Sequence, residues 1–217
     1  MLTIKDLFDL DHTIAKDYLA QFTYPWEALA GIKDFILSVG PTLEDYDEVS
    51  PQVWVHKTAT VAPTAFLGGP CIIGPETEVR HCAFIRGSAL VGAGCVVGNS
   101  VELKNVILFD GVQTPHYNYV GDSILGYKSH MGAGSITSNV KSDKLPVVVR
   151  CGDERIDTGR KKVGAMLGDF VEVGCNSVLN PGTVIGRGSR VYPLSMVRGL
   201  VPAGMIYKRD RDMVPLK

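Results

Sequence analysis

Branched apolar residues at every sixth position, glycine beside many of them and a small residue two places before predict a parallel β-helix of six-residue repeats. The period runs through Val55, Val61, Leu67, Ile73, Val79, Ile85, Val91, Val97, Leu103 and Phe109. It resumes through Leu167, Val173, Leu179, Ile185, Val191 and Val197. Gly68, Gly74, Gly92, Gly98, Gly168, Gly174 and Gly186 follow such residues, and Ala59, Ala65, Cys71, Thr77, Ala83, Ala89 and Cys95 precede them by two. Each hexapeptide then supplies a short strand and a turn, three close a triangular coil, and one branched side chain per step fills the prism. Glycine permits the sharp corner, and the small residue shares the narrow interior. On this register Cys71 and Cys95 are interior fillers.

In chain order, residues 1–50 form a small helical cap. Asp11 is placed to cap a helix reaching about Gln21. Pro25, at a first-turn position, opens a second helix whose Trp26, Leu29, Ile32, Phe35 and Ile36 share a face, and Gly40-Pro41 stops it. Residues 51–200 carry the β-helix and 201–217 form a tail. After Phe109 the inward positions become Pro115, Val120, Leu125, Met131 and Ile136, so several turns shorten to five residues. An excursion at 140–162 then interrupts the repeat, with PVVVR and RIDTG flanking CGDE as a hairpin. It is the most basic stretch of the chain. Departures from a packing rule concentrate where a protein does its chemistry.

Twenty-two Lys and Arg against twenty-three Asp and Glu leave a net charge of −1, which calls for neither nucleic acid nor an anionic membrane as partner. No apolar run reaches the roughly 18 residues of a membrane span, and Lys5, Asp6, Asp9 and Asp11 occupy the place of a signal peptide's apolar core, so the expected location is cytoplasmic. Five cysteines, Cys71, Cys82, Cys95, Cys151 and Cys175, fit neither a disulfide framework nor a close-paired zinc site.

Two features carry chemistry. Arg86 and Lys104 are eighteen residues apart, one coil, so they are expected to project from the same corner at the strand spacing of about 4.8 Å. Like charges at that distance repel unless an anion sits between them, and two splayed, solvated cations are the equal alternative. His116 leaves the prism where the turns shorten, and an imidazole titrating near neutrality suits a general base. His12, His56, His81 and His130 take the default of polar surface, and Tyr117 and Tyr119 serve equally as packing aromatics.

The stretch VELKNVILFDGVQTPHYNYVGDSILGYKSHMGAGSITSN resembles the acetyltransferase half of the bifunctional enzymes that make UDP-N-acetylglucosamine. Those enzymes carry E-x-K-(K/N), then P/G-H-x-x-Y-(L/V)-G-D, then G-A-G-(T/S)-I-T-x-N. The similarity covers about Arg86 to Asn139, and the later TGRKKVGAMLGDFVEVGCNSVLNPG is similar to the following coils of archaeal relatives.

The resemblance implies a left-handed parallel β-helix, a homotrimer with its active sites between subunits, and acetyl transfer from acetyl-CoA to an amino-sugar 1-phosphate such as glucosamine 1-phosphate or galactosamine 1-phosphate. No metal is implied. His116 matches the catalytic base and Asn139 an asparagine at the reacting amide. Arg86 and Lys104 match phosphate-holding positions, Tyr119 a substrate tyrosine and Lys144 a sugar-site lysine. Gly132, Ala133 and Gly134 match a turn near the thioester carbonyl. His130 stands where bacterial relatives usually have Asn among the substrate residues, and Cys175 and Pro193 where small residues line the CoA site. The basic excursion and the tail residues Lys208, Arg209 and Arg211 are expected to meet the CoA phosphates. No nucleotidyltransferase domain is expected in the first fifty residues, which are too few to build one. A γ-type carbonic anhydrase of the same fold would need a histidine at position 121, where this chain has Gly121. A non-catalytic trimeric scaffold is the reading that retention of His116, Arg86, Lys104, Tyr119 and Asn139 together weighs against.

Overall fold

The computed structural model describes residues 2–208 and 213–215. The repeat folds as a parallel β-solenoid, a three-sided prism whose short strands stack coil upon coil. The first face runs from Val53–His56 through Cys71–Ile73, Ala89–Val91 and on to Thr183–Ile185 and Leu200–Val201. The second runs from Thr60–Val61 to Met205–Tyr207. The third runs from Phe66–Leu67 through Phe84–Ile85, Ile136–Thr137 and Val178–Leu179 to Met196–Val197. Two long strands, Glu102–Leu108 and Tyr119–Leu125, bend from the third face into the first. Antiparallel strands flank the two ends: Tyr46–Ser50 on Val53–His56, and Met213–Pro215 on Met205–Tyr207.

Most of the residues at the six-residue period are interior as expected, with Ile73, Val79, Ile85, Val91, Val97 and Leu103 at most 1% exposed. Cys71 and Cys95 lie among them, and burial pushes both thiols up to about 12, so neither is a nucleophile. Three positions differ. Val91 pairs with Leu108, Val97 with Thr114, and Thr137 with Leu179, so Leu108, Thr114 and Thr137 point inward where Phe109, Pro115 and Ile136 were expected. The coil shortens one residue earlier than the apolar pattern suggests, because Phe109 is recruited from outside: its ring lies 5.1 Å from that of Phe8. Inward pairs such as Val91 with Leu108, Val97 with Thr114, Leu103 with Val120, and Leu108 with Leu125, each seventeen residues apart, mark the short coils.

The N-terminal helices are also more broken than expected. Asp9, not Asp11, caps the short helix Leu10–His12; the next, Lys16–Leu19, starts without a side-chain cap; and the second expected helix divides into Pro25–Ala30 and Ile32–Val39. Asp11 instead pairs with Lys16. These pieces lie along the first face rather than closing an end. The outward residues of that face, Trp54, Ile72, Leu90, Ile107, Ile124 and Met166, are at most 6% exposed. Asn105 Nδ2 donates to Leu29 O at 3.2 Å, and the amides of Asp110 and Asp169 donate to His12 O and Leu7 O, both at 3.0 Å. Each side chain covered this way contributes about 1.5–3 kcal/mol, which explains why short segments of weak intrinsic helicity hold their shape.

A candidate acyl-transfer face

The other two faces differ in character. The second presents Glu78, Gln113, Glu172 and Arg190 to solvent, whereas the third presents Phe66, Phe84 and Met196, at 59%, 43% and 66% exposure. His116 ends the strand Gln113–His116 at the edge between them. The chain then crosses the third face through Tyr119 and reaches the edge toward the first face at Gly121 and Asp122.

At the edge of His116, successive coils stack the residues that the resemblance assigns to the acetyl donor. Gly134 donates its amide to His116 O at 3.0 Å, Asn176 to Ala133 O at 2.8 Å, and Leu194 to Cys175 O at 2.9 Å. His116, Ala133, Cys175 and Pro193 therefore follow one another along one edge. Gly134 has φ +71°, the left-handed region that favours glycine, and a Cβ there would stand 2.2 Å from Asn176 Oδ1, so a larger residue would have to displace that side chain. Lys208 follows Tyr207, whose carbonyl accepts from Tyr192, and so reaches the same edge. Arg209 and Arg211 lie outside the described residues. His116 is exposed, and its ring makes no hydrogen bond to any described residue. Its backbone is fixed by buried Asn118, which accepts from the His116 amide at 3.2 Å and donates to Gly132 O at 2.9 Å.

The opposite edge is built around a carboxylate. Asp122, 1% exposed, accepts from Lys104 Nζ at 3.0 and 3.2 Å, from Asn105 Nδ2 at 2.9 Å and from Asn139 Nδ2 at 2.6 Å. Asn139 Nδ2 also donates to Tyr119 Oη at 3.1 Å. The amide's two protons are thus spent inside the network, and its Oδ1 is left to accept from a ligand N–H. Burial raises the Tyr119 pKa, so the phenol keeps a proton to donate. The seventeen-residue coil creates this contact by setting Gly121 beside Lys104 and turning Asp122, at φ +48°, beneath its ammonium. The VGD motif held the signal for Asp122, and the YNY stretch held Asn118, but a motif does not say which coil a side chain faces.

The stacked cations differ from expectation. Arg86 donates to Glu102 at 2.8 Å while Lys104 is paired with Asp122, so each charge has its own carboxylate and the repulsion is relieved within the chain. His130 does not join the site: it lies on the second face with Nδ1 2.8 Å from Glu172 Oε2. Lys144 is exposed in the turn that opens the excursion. The excursion itself packs on the edge of Asp122, across the third face from Ala133, Cys175 and Pro193. Among the described residues no cluster of His, Cys, Asp and Glu is arranged to hold a metal, and no helix is long and apolar enough to cross a membrane.

Residues 67–186 match the family described as GMPPB C-terminal domain. A bifunctional sugar-1-phosphate nucleotidylyltransferase/acetyltransferase from Sulfurisphaera tokodaii is 36% identical over 105 residues, covering 48% of this chain and 26% of that protein. A bifunctional protein GlmU from Methanococcus maripaludis is 30% identical over 207 residues, covering 93% of this chain and 50% of that protein. The chain thus spans half or less of the length of these relatives. Among solved structures, a hexapeptide transferase family protein from Anaplasma phagocytophilum has 17% identity and a TM-score of 0.44, covering 76% of this chain and 79% of that one.

Proposed function

This chain belongs to the GMPPB C-terminal domain family, and we propose that it transfers an acetyl group from acetyl-CoA to the amine of an amino-sugar 1-phosphate. The observation that carries this reading is the third face itself: an exposed imidazole at one edge, a Tyr119–Asn139–Asp122–Lys104 network at the other, and a span of one short strand between them. Two similar proteins, from Sulfurisphaera tokodaii and Methanococcus maripaludis, are bifunctional, the first named as an acetyltransferase, which supports the same class of reaction.

In this mechanism His116 removes a proton from the neutral sugar amine as its nitrogen attacks the thioester carbonyl. The C–N bond forms as the C–S bond breaks, and the thiolate of CoA takes up the proton that His116 releases. Asn139 Oδ1 accepts from the attacking nitrogen and Tyr119 donates to the sugar. Arg86 and Lys104 hold the phosphate, sharing their charge with Glu102 and Asp122. Acetyl-CoA lies along the edge of Gly132, Ala133, Gly134, Cys175 and Pro193, with Lys208 at its end. Assembly as a homotrimer covers the Phe66, Phe84 and Met196 column and closes each site against a neighbouring copy.

The test is release of CoA thiol from acetyl-CoA with a panel of amino-sugar phosphates and nucleotide amino-sugars. His116→Ala is expected to lower kcat by about 10²–10⁴-fold with acceptor binding retained. Arg86→Ala and Lys104→Ala are expected to raise KM for phosphorylated acceptors and to matter far less for acceptors lacking phosphate. Full activity in His116→Ala would reduce the resemblance to fold alone.

A further inference from the structure

The excursion folds as an antiparallel hairpin, Val148–Cys151 against Glu154–Asp157, laid over the edge that carries Asp122. Val147 and Val149 anchor it with both side chains buried. Two corner glycines let it approach: a Cβ on Gly182 would stand 2.8 Å from Val147 Cγ1, and one on Gly199 would stand 3.0 Å from Arg150 O. Between hairpin and edge remains a cavity of about 620 Å³, lined among others by Ser138, Lys141, Asp143, Arg150, Arg155 and Arg198.

The charges of this cavity do not cancel. Lys141 and Asp143 pair with each other at 3.0 Å and leave the three arginines without a carboxylate. Arg150 and Arg155 stand directly opposite across the hairpin, an arrangement of like charges that costs stability. Arg198 reaches the same space from the coil beyond Asn180. None of the three forms an ion pair or a side-chain hydrogen bond with a described residue, in contrast to Arg86, Lys104 and Arg187, each of which has its acid. Guanidinium forks match phosphate oxygens two by two, and three of them around one cavity suit more than one phosphate.

We propose that the cavity under the hairpin binds a diphosphate group. It adjoins Asn139 through Ser138, on the acceptor edge of the third face, and is separate from the Arg86 and Lys104 pair. Coenzyme A and a nucleotide sugar both carry a diphosphate, and the cavity recognises what they share. The site goes beyond acetyl transfer and does not depend on it.

The experiment is calorimetric titration of the full chain with inorganic pyrophosphate, followed by competition with CoA and with uridine diphosphate. Arg150→Gln, Arg155→Gln and Arg198→Gln are each expected to weaken pyrophosphate binding by about tenfold, the loss of one charge-assisted contact, with no fall in melting temperature, because all three side chains are exposed and Arg150→Gln or Arg155→Gln also relieves the repulsion across the hairpin. Lys57→Gln, which removes a remote exposed cation paired with Asp45, is expected to leave binding unaltered. Displacement by CoA or by uridine diphosphate supports the site and identifies its source. Absence of binding by all three probes at millimolar concentration, or an equal loss in Lys57→Gln, would overturn it. His116→Ala should bind pyrophosphate as the unaltered chain does, so this result stands apart from the acetyl-transfer test.

Discussion

Two buried carboxylates, Asp169 and Asp122, occupy different edges of the same prism and are satisfied in different ways. Asp169, fully buried, accepts from the backbone amides of Asp9 and Tyr127, both within 2.9 Å, and from the Arg187 guanidinium. Its partners belong to the N-terminal segment and the coils, so it fastens one to the other. Asp122 accepts only from the side chains of Lys104, Asn105 and Asn139, and through Asn139 reaches Tyr119 on the open third face. Backbone partners make a fastening; side-chain partners that stop at solvent make a surface whose polar groups are held in a fixed pose for a ligand.

The contrast can be broken most directly at Asp169. Asp169→Ala strands two amides and a guanidinium and is expected to cost about 3 kcal/mol, a fall in Tm of about 6–12 °C by thermal denaturation. Asp122→Asn is expected to lower kcat/KM for acetyl transfer by about 100-fold, because Lys104 and Asn139 lose their common anchor, while Tm falls by less than in Asp169→Ala. Matching Tm losses with activity intact would make Asp122 a fastening too. Tyr119→Phe removes only the hydroxyl and is expected to raise KM for the acceptor by about fivefold with Tm unchanged.

The smallest effect is one of pH. Asp110 sits near the Asp169 edge, and burial raises its carboxyl pKa. The folded state therefore holds this proton more tightly than the unfolded chain, which favours folding at low pH and is lost as pH rises through the folded pKa. Asp110→Asn keeps an acceptor for the Ala93 amide, so it is expected to raise Tm slightly at pH 7 and not at pH 3. A fall in Tm at pH 7 would show that the charge itself is needed at the Ala93 amide.

The prism was legible because each coil repeats one demand, a branched residue inward, and Ile73 to Leu103 answer it without a break. The register past Leu103 was not, since Phe109 is as apolar as Leu108, yet Leu108 pairs with Val91 while the Phe109 ring lies against Phe8. The motifs named His116 and Ala133 as site residues, but their stacking depends on a coil of seventeen residues that motif order does not give. The Asp122 network did not, because a one-residue shortening rotates every later side chain relative to the coil below, and pairing then depends on geometry rather than spacing. The helices of the first forty residues depart from their local signals for a related reason: their lengths are set by the face they cover, and the Asp11 carboxylate pairs with Lys16 at the surface instead of capping.

A stack of parallel rungs has the hydrogen-bonding pattern of a short fibril, and an uncovered terminal rung would template another molecule indefinitely. Here Tyr46–Ser50 lies antiparallel on the first rung of one face, and Met213–Pro215 lies antiparallel on a rung at the far end of another. Each reverses the direction of the ladder, so the donors and acceptors it presents no longer match a parallel newcomer. The growth axis is stopped by polarity on these two faces.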